Sequence, residues 1–459
     1  MIPMMTSEIA AAVEARAVAC EFGIEIGAVG TDSRTAGANS LFVAIKGERF
    51  DGHNFVSAAA AAGAVSLVQR PVDVPHIVVD DSVAALGRLG RAVYDRSRAT
   101  VVGITGSSGK TTTKDLLGQV LAGHAETVAT AASFNNEIGL PLTVCRLTSD
   151  TRYLVVEMSA RDVGHIRALA GIAPPDIAVV LNVGVAHIGV FGSRDRIAQA
   201  KGELVEALPA TGLAVLNADD GYVARMAART SARVVRYGAA AGTDYRAEDV
   251  RLDAGGRARF RLLTPRGTGD IALRVVGEHM VGNALAAAAV ACELGMPVEV
   301  VAAALSAAET LSRWRMEVRT TPAGVTVVND AYNANTESVF AALKALKSMS
   351  SGGRSWAVLG PMGELGEAAV DEHARVGQLV VRLGIDKLVT VGQGAKVIHN
   401  TFLLEGSLPE DAQHVDSVAQ ALVLLTGALR RGDVVLVKAS RSAGLERLAL
   451  ALTPDGGTS

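Results

Sequence analysis

Aromatic residues are scarce in this chain, at 4% of 459 residues, and there are only three cysteines. Cys20, Cys145 and Cys292 are widely separated and lie in apolar surroundings. This spacing provides neither a disulfide framework nor the closely paired ligands of a zinc site. We therefore expect buried free thiols and a reducing compartment.

Long apolar runs and basic clusters are missing as well. No apolar stretch reaches the ~20 residues that a membrane-spanning helix requires. The N-terminus carries Glu8 and Glu14 and lacks the basic segment of a signal peptide. A net charge of −3 and a pI near 6.3 argue against a nucleic-acid-binding surface. We expect a cytoplasmic protein without a membrane or nucleic-acid partner.

Hydrophobic residues nevertheless make up 49% of the chain, so it can bury large cores. At ordinary domain sizes, 459 residues correspond to about three domains. We predict an N-terminal domain over 1–98, a central domain over 99–310 and a C-terminal domain over 311–459. Alternating strand and helix patterns in the last two predict parallel sheets. Arg-rich alternation between 245 and 276 predicts antiparallel hairpins instead.

The stretch 99–114 has the pattern of a phosphate-binding loop. An apolar run ending at Ile104 predicts a buried strand, small residues follow, and a helical pattern begins at Lys110. Glycines let the backbone approach phosphates, which the helix N-terminus favours. Lys110 would reach the β- and γ-phosphates, and the Thr111 hydroxyl would bind Mg²⁺. Because Ile104 stands where the strict motif has glycine, a Gly-rich turn with an incidental lysine is the alternative.

Three further residues are candidates for metal chemistry. Glu157 and His187 follow predicted strands, at the sheet edge where ligands bind in open α/β sheets. A carboxylate there is an expected second anchor for Mg²⁺. Lys201 falls on the apolar stripe of a predicted helix. It either snorkels, which the spacing alone favours, or reacts with CO₂ to become a carbamate that binds metal.

Polar loops at both ends of the chain are candidates for substrate binding. Residues 31–34 and 46–53 could together hold an anion, although composition alone favours two solvated turns with their charges in water. The C-terminal region has a Rossmann-like order of elements but lacks the dinucleotide fingerprint, since Val397 occupies its third glycine position. Asp330, Asn333 and Asn335 follow one of its strands and could bind a small zwitterion.

Taken in order, these motifs resemble the Mur ligases, the ATP-dependent amide-forming enzymes of peptidoglycan precursor synthesis. The resemblance covers nearly the whole chain. It rests on Gly-Ile-Thr-Gly-Ser-Ser-Gly-Lys-Thr-Thr-Thr-Lys at 103–114, Thr-Ala-Ala-Ser-Phe-Asn-Asn-Glu-Ile-Gly-Leu-Pro-Leu-Thr at 130–143, Glu157, His187, Lys201, His279 with Asn283, Arg-Met-Glu-Val at 315–318 and Asp-Ala-Tyr-Asn-Ala-Asn at 330–335.

The resemblance implies a three-domain α/β fold with a small N-terminal domain, a central P-loop ATPase domain and a Rossmann-like C-terminal domain. The 330–335 motif looks like that of members that add D-alanyl-D-alanine to UDP-N-acetylmuramoyl-tripeptide through an acyl phosphate. The resemblance implies ATP and two Mg²⁺ ions as cofactors. We expect a monomer, although the sequence itself does not determine the oligomeric state. The alternatives are a sister ligase that adds one amino acid (diaminopimelate or lysine), a folylpolyglutamate synthase, a P-loop NTPase switch, or a nicotinamide-dependent oxidoreductase.

Residue roles also follow from the resemblance. The ATP phosphates would contact Gly106, Ser107, Ser108, Gly109, Lys110, Thr111 and Thr112. The rest of the nucleotide would contact Asn283, Arg315 and Asp330. One Mg²⁺ would be bound by Thr111 and Glu157, and the second by His187 and carbamylated Lys201. The UDP end of the substrate would contact Ser33, Arg34 and Lys46, the muramoyl sugar Asn135 and Asn136, and the dipeptide Asn333 and Asn335.

Overall fold

The structure is a computed structural model that describes residues 1–47, 50–186 and 188–454. Its N-terminal region has a five-stranded sheet in the order β2-β7-β6-β5-β4 and a small antiparallel pair, β1 and β3. The strands are Met4–Met5 (β1), Ala17–Ala19 (β2), Glu25–Ile26 (β3), Ala28–Gly30 (β4), Ser40–Val43 (β5), Val65–Val68 (β6) and His76–Val78 (β7). The helices are Thr6–Ala12 (α1), Val56–Ala61 (α2) and Ser82–Tyr94 (α3).

A six-stranded, fully parallel sheet forms the central region, in the order β13-β12-β11-β8-β10-β9. Its strands are Thr100–Thr105 (β8), Thr127–Ala129 (β9), Tyr153–Glu157 (β10), Ile177–Val180 (β11), Leu213–Asn217 (β12) and Arg233–Tyr237 (β13). The helices are Lys110–Ala122 (α4), Gly139–Val144 (α5), His165–Ile172 (α6), Ile188–Phe191 (α7), Arg194–Glu206 (α8) and Gly221–Arg225 (α9).

The antiparallel hairpins predicted next are confirmed as a three-stranded sheet of Arg246–Leu252 (β14), Arg257–Thr264 (β15) and Gly267–Val276 (β16). Two helices follow, Met280–Glu293 (α10) and Val298–Ala307 (α11). Helix α10 packs against α4, the helix that follows the phosphate-binding loop. The buried alanines of α10 are small, so the two helices can pack closely, and α10 supports the helix that follows the phosphate-binding loop.

The C-terminal region repeats the α/β arrangement around a second six-stranded sheet, in the order β17-β18-β22-β19-β20-β21. All its pairs are parallel except β17 with β18. The strands are Glu317–Thr320 (β17), Thr326–Asn329 (β18), Ser355–Leu359 (β19), Lys387–Val391 (β20), Ala412–Val415 (β21) and Val434–Lys438 (β22). The helices are Thr336–Met349 (α12), Ala369–Arg382 (α13), Lys396–Leu404 (α14), Val418–Ala428 (α15) and Glu446–Leu452 (α16).

Apolar packing fixes where the ends of these strands lie. Val101, Val102 and Ile104 of β8 are fully buried, as expected for a strand covered by helices on both faces. Strands β10 and β11 lie on either side of β8, so the carboxyl ends of all three meet at one edge. Across the described residues, no helix is both long and apolar enough to span a bilayer.

Candidate active site

The phosphate-binding loop connects β8 to α4. Gly109 has φ of 81°, and a Cβ there would lie 2.5 Å from Asn283 Oδ1, so both backbone and space require glycine. The Lys110 ammonium donates to the Gly106 carbonyl at 2.6 Å. Because the first N–H groups of a helix have no intrahelical acceptor, the start of α4 presents donors where an anion would bind.

Asn182, which follows β11, binds the first part of this loop, at Ser107 and Ser108. Its Oδ1 accepts hydrogen bonds from the Ser107 and Ser108 N–H groups, both at 2.9 Å. The Ser107 hydroxyl in turn accepts from the Gly184 N–H at 2.9 Å. The segment after β11 therefore fixes Ser107 and Ser108 of the loop. The N–H groups at the start of α4 are left for a ligand.

Glu157 provides an unsatisfied carboxylate beside the loop. It is fully buried at the end of β10, and its Oε2 accepts from Asn135 Nδ2 at 3.2 Å. Its Oε1 is buried with no hydrogen-bond partner among the described residues. A buried oxygen of this kind is costly unless a ligand satisfies it.

These oxygens fit Mg²⁺. The ion prefers hard oxygen ligands and usually binds proteins through one or two carboxylates together with phosphates and water. The Glu157 carboxylate and the Thr111 hydroxyl match that demand. Within residues 1–47, 50–186 and 188–454, no group of three or more His, Cys, Asp or Glu side chains is arranged to hold a metal.

Lys201 lies inside the protein, at 5% exposure on α8. The interpretation that it snorkels to solvent is therefore wrong, because the whole residue is buried. No carboxylate of the described residues pairs with its amine. Burial, and secondarily the charge of Lys110, lower its pKa well below the usual value. A neutral amine is the form that reacts with CO₂.

Lys110 is affected by the same surroundings. Burial lowers its pKa to about 8, the Glu157 carboxylate opposes that shift, and the charge of Arg315 adds to it. The amine is therefore only partly protonated near pH 8, and an anionic ligand would restore its charge. His187, the remaining predicted metal ligand, lies outside the described residues.

Residues of the C-terminal region reach the phosphate-binding loop. Arg315 Nη2 donates to Thr111 Oγ1 at 3.2 Å and to Ser133 Oγ at 3.4 Å. Asn335 Nδ2 donates to the Ser107 carbonyl at 3.3 Å. The loop that contains Asp330, Asn333 and Asn335 therefore faces the carboxyl edge of the central sheet.

Several predicted ligand-binding residues make protein contacts here. Asn136 Oδ1 accepts from the N–H of Gly139, the first residue of α5, at 2.9 Å. Asn335 Oδ1 accepts from the Ser338 N–H at 2.9 Å and caps α12. Asn333 Oδ1 accepts from the next residue's N–H at 2.9 Å. Their remaining polar atoms are those available to a substrate.

The N-terminal candidates lie on their own sheet. Arg34 is exposed and forms a two-point contact with Asp32, with distances of 2.9 and 2.6 Å, which lowers the pKa of that carboxyl to about 2. Ser33 shares this turn, and Lys46 is exposed after β5. Residues 48 and 49 of the predicted 46–53 loop lie outside the described residues. No hydrogen bond among the described residues links these candidates to the phosphate-binding loop.

Sequence reasoning missed three residues of the site. Asn182 holds the phosphate-binding loop, Lys438 holds Asp330, and the Tyr332 ring lies 4.2 Å from the Arg315 guanidinium carbon. Asn182 and Lys438 each stand at the end of a predicted strand, which is the one signal that could have selected them.

Three family models match successive parts of the chain. The model described as "Mur ligase family, catalytic domain" matches residues 25–94, the Mur ligase middle domain matches 104–291, and the "Mur ligase, glutamate ligase domain" matches 314–441. Together they span most of the sequence in the order that the family expects.

Curated proteins and solved structures agree with these models. The UDP-N-acetylmuramoyl-tripeptide--D-alanyl-D-alanine ligase of Mycobacterium tuberculosis (strain ATCC 25618 / H37Rv) is 49% identical, over 94% of this chain and 92% of that protein. The Escherichia coli (strain K12) ligase of the same name is 35% identical, over 94% and 95%. MurF from Acinetobacter baumannii superposes with a TM-score of 0.88 at 33% identity, over 99% of both chains.

MurF from Thermotoga maritima in complex with ADP superposes with a TM-score of 0.80 at 31% identity, over 92% of this chain and 96% of that one. The chain therefore belongs to the Mur ligase family. The expected three-part α/β fold with parallel sheets is confirmed. The boundaries predicted at 98 and 310 remain predictions.

Proposed function

We propose that this chain joins D-alanyl-D-alanine to UDP-N-acetylmuramoyl-tripeptide and converts ATP to ADP and phosphate. The observation that carries the proposal is the contact of Arg315 and Asn335 with the phosphate-binding loop. A ligase that activates a carboxylate and then delivers it to an amine needs both sites at one place. The names of the curated relatives support this choice of substrates.

The chemistry has two steps. The tripeptide carboxylate attacks the γ-phosphate of ATP, forms an acyl phosphate and releases ADP. The dipeptide amine then attacks the acyl carbon, loses a proton, and phosphate leaves. Lys110 and Arg315 offset the charge on the transferred phosphoryl group, as positioned cations do in this class of reaction.

Thr111 and Glu157 are the residues that we expect to hold Mg²⁺, on the strength of the buried unpartnered Glu157 Oε1. The ion supplies electrostatic stabilisation of phosphoryl oxygens when it is bound. For a second ion we propose His187 and carbamylated Lys201. The buried neutral amine of Lys201 would attack CO₂, form the N–C bond and lose a proton, which leaves an anionic carbamate.

The remaining contacts are proposals that follow the family resemblance. Ser107, Ser108 and Thr112 would complete the phosphate site around Gly106 and Gly109. Asn283 would contact the nucleotide, since its amide lies against Gly109, and Asp330 would approach it beside Arg315. We expect the UDP end at Ser33, Arg34 and Lys46, the sugar at Asn135 and Asn136, and the dipeptide at Asn333 and Asn335.

We also infer a cytoplasmic monomer. Every residue proposed for the reaction comes from one chain, so a second copy is not needed to complete the site. The three cysteines are free thiols, which suits the compartment that supplies ATP.

Phosphate release tests the proposed function. Purified protein is given ATP, Mg²⁺ and UDP-N-acetylmuramoyl-tripeptide, with and without D-alanyl-D-alanine, and the product mass is measured. We expect strong phosphate release only when the tripeptide and D-alanyl-D-alanine are both present. The product should have the mass of the pentapeptide. Phosphate release that depends on a single amino acid would identify the chain as a sister ligase. Phosphate release that does not depend on any amino acid or peptide would favour a nucleotide switch.

A further inference from the structure

The turn that carries Arg315 is strained. Trp314 and Met316, on either side of it, both adopt left-handed backbone conformations, with φ of 60° and 50°. Residues other than glycine rarely occupy this region, and bulky residues are genuine outliers there. Two such residues in one turn persist only where the surrounding structure holds them, and strain of this kind gathers at functional sites.

The loop after β18 holds this turn. The Met316 N–H donates to Asp330 Oδ1 at 3.1 Å, and the Tyr332 N–H donates to the Trp314 carbonyl at 3.2 Å. The Arg315 guanidinium lies over the Tyr332 ring, a favourable cation–π contact. The loop therefore fixes both the backbone of the turn and the direction of the arginine.

Lys438, the last residue of β22, holds the loop in turn. Its Nζ lies 2.5 Å from Asp330 Oδ2 and 3.0 Å from the Asn333 carbonyl. Lys438 is 2% exposed and Asp330 is 8% exposed, so water does little to screen the pair. Removing one partner of such a buried pair leaves the other charge uncompensated.

We propose that Lys438 is a positioning residue for phosphoryl transfer: through Asp330 it holds the strained turn that directs Arg315 at the phosphate-binding loop. Lys438 acts through these neighbours, whereas Arg315 itself contacts Thr111. Arg315 Nε is buried and has no partner among the described residues, which leaves a donor for a ligand at this place. The same ammonium also holds Asn333, in the loop proposed to receive the dipeptide. This inference rests on the proposed function.

A double-mutant cycle tests the proposal. Lys438→Met, Arg315→Ala and the double variant are compared by kcat and by KM for ATP. We expect Lys438→Met to lower kcat on the order of 100-fold, as misplacement of a reacting group does, with KM for ATP changed much less. In the Arg315→Ala background, Lys438→Met should lower kcat by less than about threefold, because the residue it positions is gone.

A matched lysine in the same sheet provides the control. Lys387 begins β20, at the edge of the sheet opposite Lys438, and its Nζ lies 2.6 Å from Asp411 Oδ1. Lys387→Met should keep the wild-type kcat. If Lys438→Met lowers kcat equally with and without Arg315, the losses are independent and the proposal is overturned. If Lys438→Met does not fold, Lys438→Gln, which keeps a polar side chain but removes the charge that pairs with Asp330, replaces it in the cycle.

Tryptophan fluorescence tests the same proposal without turnover. The chain has two tryptophans, so Trp356→Phe leaves Trp314 as a reporter within the strained turn. In that background, Lys438→Met should raise acrylamide quenching of Trp314 at least twofold, and Lys387→Met should not. Unchanged quenching would refute the positioning role. A wild-type protein without ligase activity would instead refute the proposed function, and the quenching result would still decide the role of Lys438.

Discussion

Both six-stranded sheets carry ionisable side chains at the carboxyl ends of their strands, but the two sets are partnered differently. In the C-terminal region Lys438, the last residue of β22, pairs with Asp330, which follows β18. At the central edge, Glu157 Oε1 has no partner among the described residues.

Whether a buried charge has a protein partner distinguishes residues that bind a ligand from residues that position other residues. A buried charge without a protein partner is costly, so a fold retains it where a bound group satisfies it. A buried pair that satisfies itself can hold a loop in one geometry instead. On this basis we expect the central edge to bind phosphate and metal, and the C-terminal edge to position Arg315 and Asn335 beside it.

The largest expected effect comes from Glu157→Gln. Activity should fall by roughly 10²–10³-fold, the range for loss of one preorganised electrostatic group. The melting temperature of the ligand-free protein should not fall, because the substitution removes a buried charge that lacks a partner at Oε1. Steady-state kinetics and thermal denaturation measure the two effects.

Glu203→Gln is the matched control. This buried carboxylate of the same region accepts from the Gly164 and Arg167 N–H groups at 2.5 and 3.0 Å. We expect it to lose stability and to keep its rate. If Glu157→Gln keeps its rate and loses stability as well, the proposed distinction between the two sets of charges is wrong.

Lys201 gives the next largest effect. If its amine is a carbamate in the active protein, wild-type activity should fall about 10-fold or more in CO₂-free buffer and return with bicarbonate. Lys201→Met should lose about 10–100-fold, typical of a perturbed metal site, and bicarbonate should not change its rate. Initial rates in purged and supplemented buffers measure both. A Lys201→Ala variant with full activity and no need for CO₂ would rule the carbamate out.

A larger side chain can also disrupt the contact between the central region and the C-terminal region. Gly189 lies in α7, and a Cβ there would be 2.3 Å from the Gly366 nitrogen of the C-terminal region. Alanine suits a helix, so the clash concerns only the contact with that region. We expect Gly189→Ala to lower kcat about 10-fold by separating groups that must be aligned, with KM for ATP unchanged.

Gly171→Ala provides the comparison. Gly171 lies in α6, and a Cβ there would meet nothing within 4 Å. Its kinetics should match those of the wild type. A Gly189→Ala variant with wild-type kcat would show that this contact between α7 and the C-terminal region is not needed for catalysis.

Local pattern was enough to predict much of the central edge. An apolar strand, a Gly-rich turn and a helix start placed Lys110 and Thr111 together, and parallel strands brought Glu157 beside them. The side-chain partners depended on tertiary contacts. Asp330 and Lys438 are 108 residues apart, and neither residue's sequence neighbours indicate the pair.

Burial was the other quantity that pattern could not supply. The apolar stripe of α8 placed Lys201 correctly on the inner face, but the depth of the amine depends on the sheet and helices around it. Asn135 likewise fitted a substrate-binding motif, and only the fold shows that its amide bonds to Glu157. Motifs therefore located the site, and packing determined which of its charges are paired.

The smallest expected effect is on the pH dependence of ATP binding. The pKa of Lys110 is about 8 in the ligand-free protein, and a phosphate would raise it by favouring the charged form. ATP binding should therefore take up a proton above pH 8, and affinity should weaken there by at most about 10-fold per pH unit. Calorimetry at pH 8.5 in two buffers of different ionisation enthalpy measures this uptake.

The lowered pKa of Lys110 also determines how the stability of the ligand-free protein changes with pH. Since the folded-state pKa lies below the ordinary value of 10.5, the unfolded chain binds more protons between about pH 8 and 10.5, and Lys110 makes the ligand-free protein more stable as pH rises through that window. Lys110→Arg keeps its charge throughout, so it should show neither this gain nor the proton uptake. Equal uptake by wild type and Lys110→Arg would assign the proton to another group.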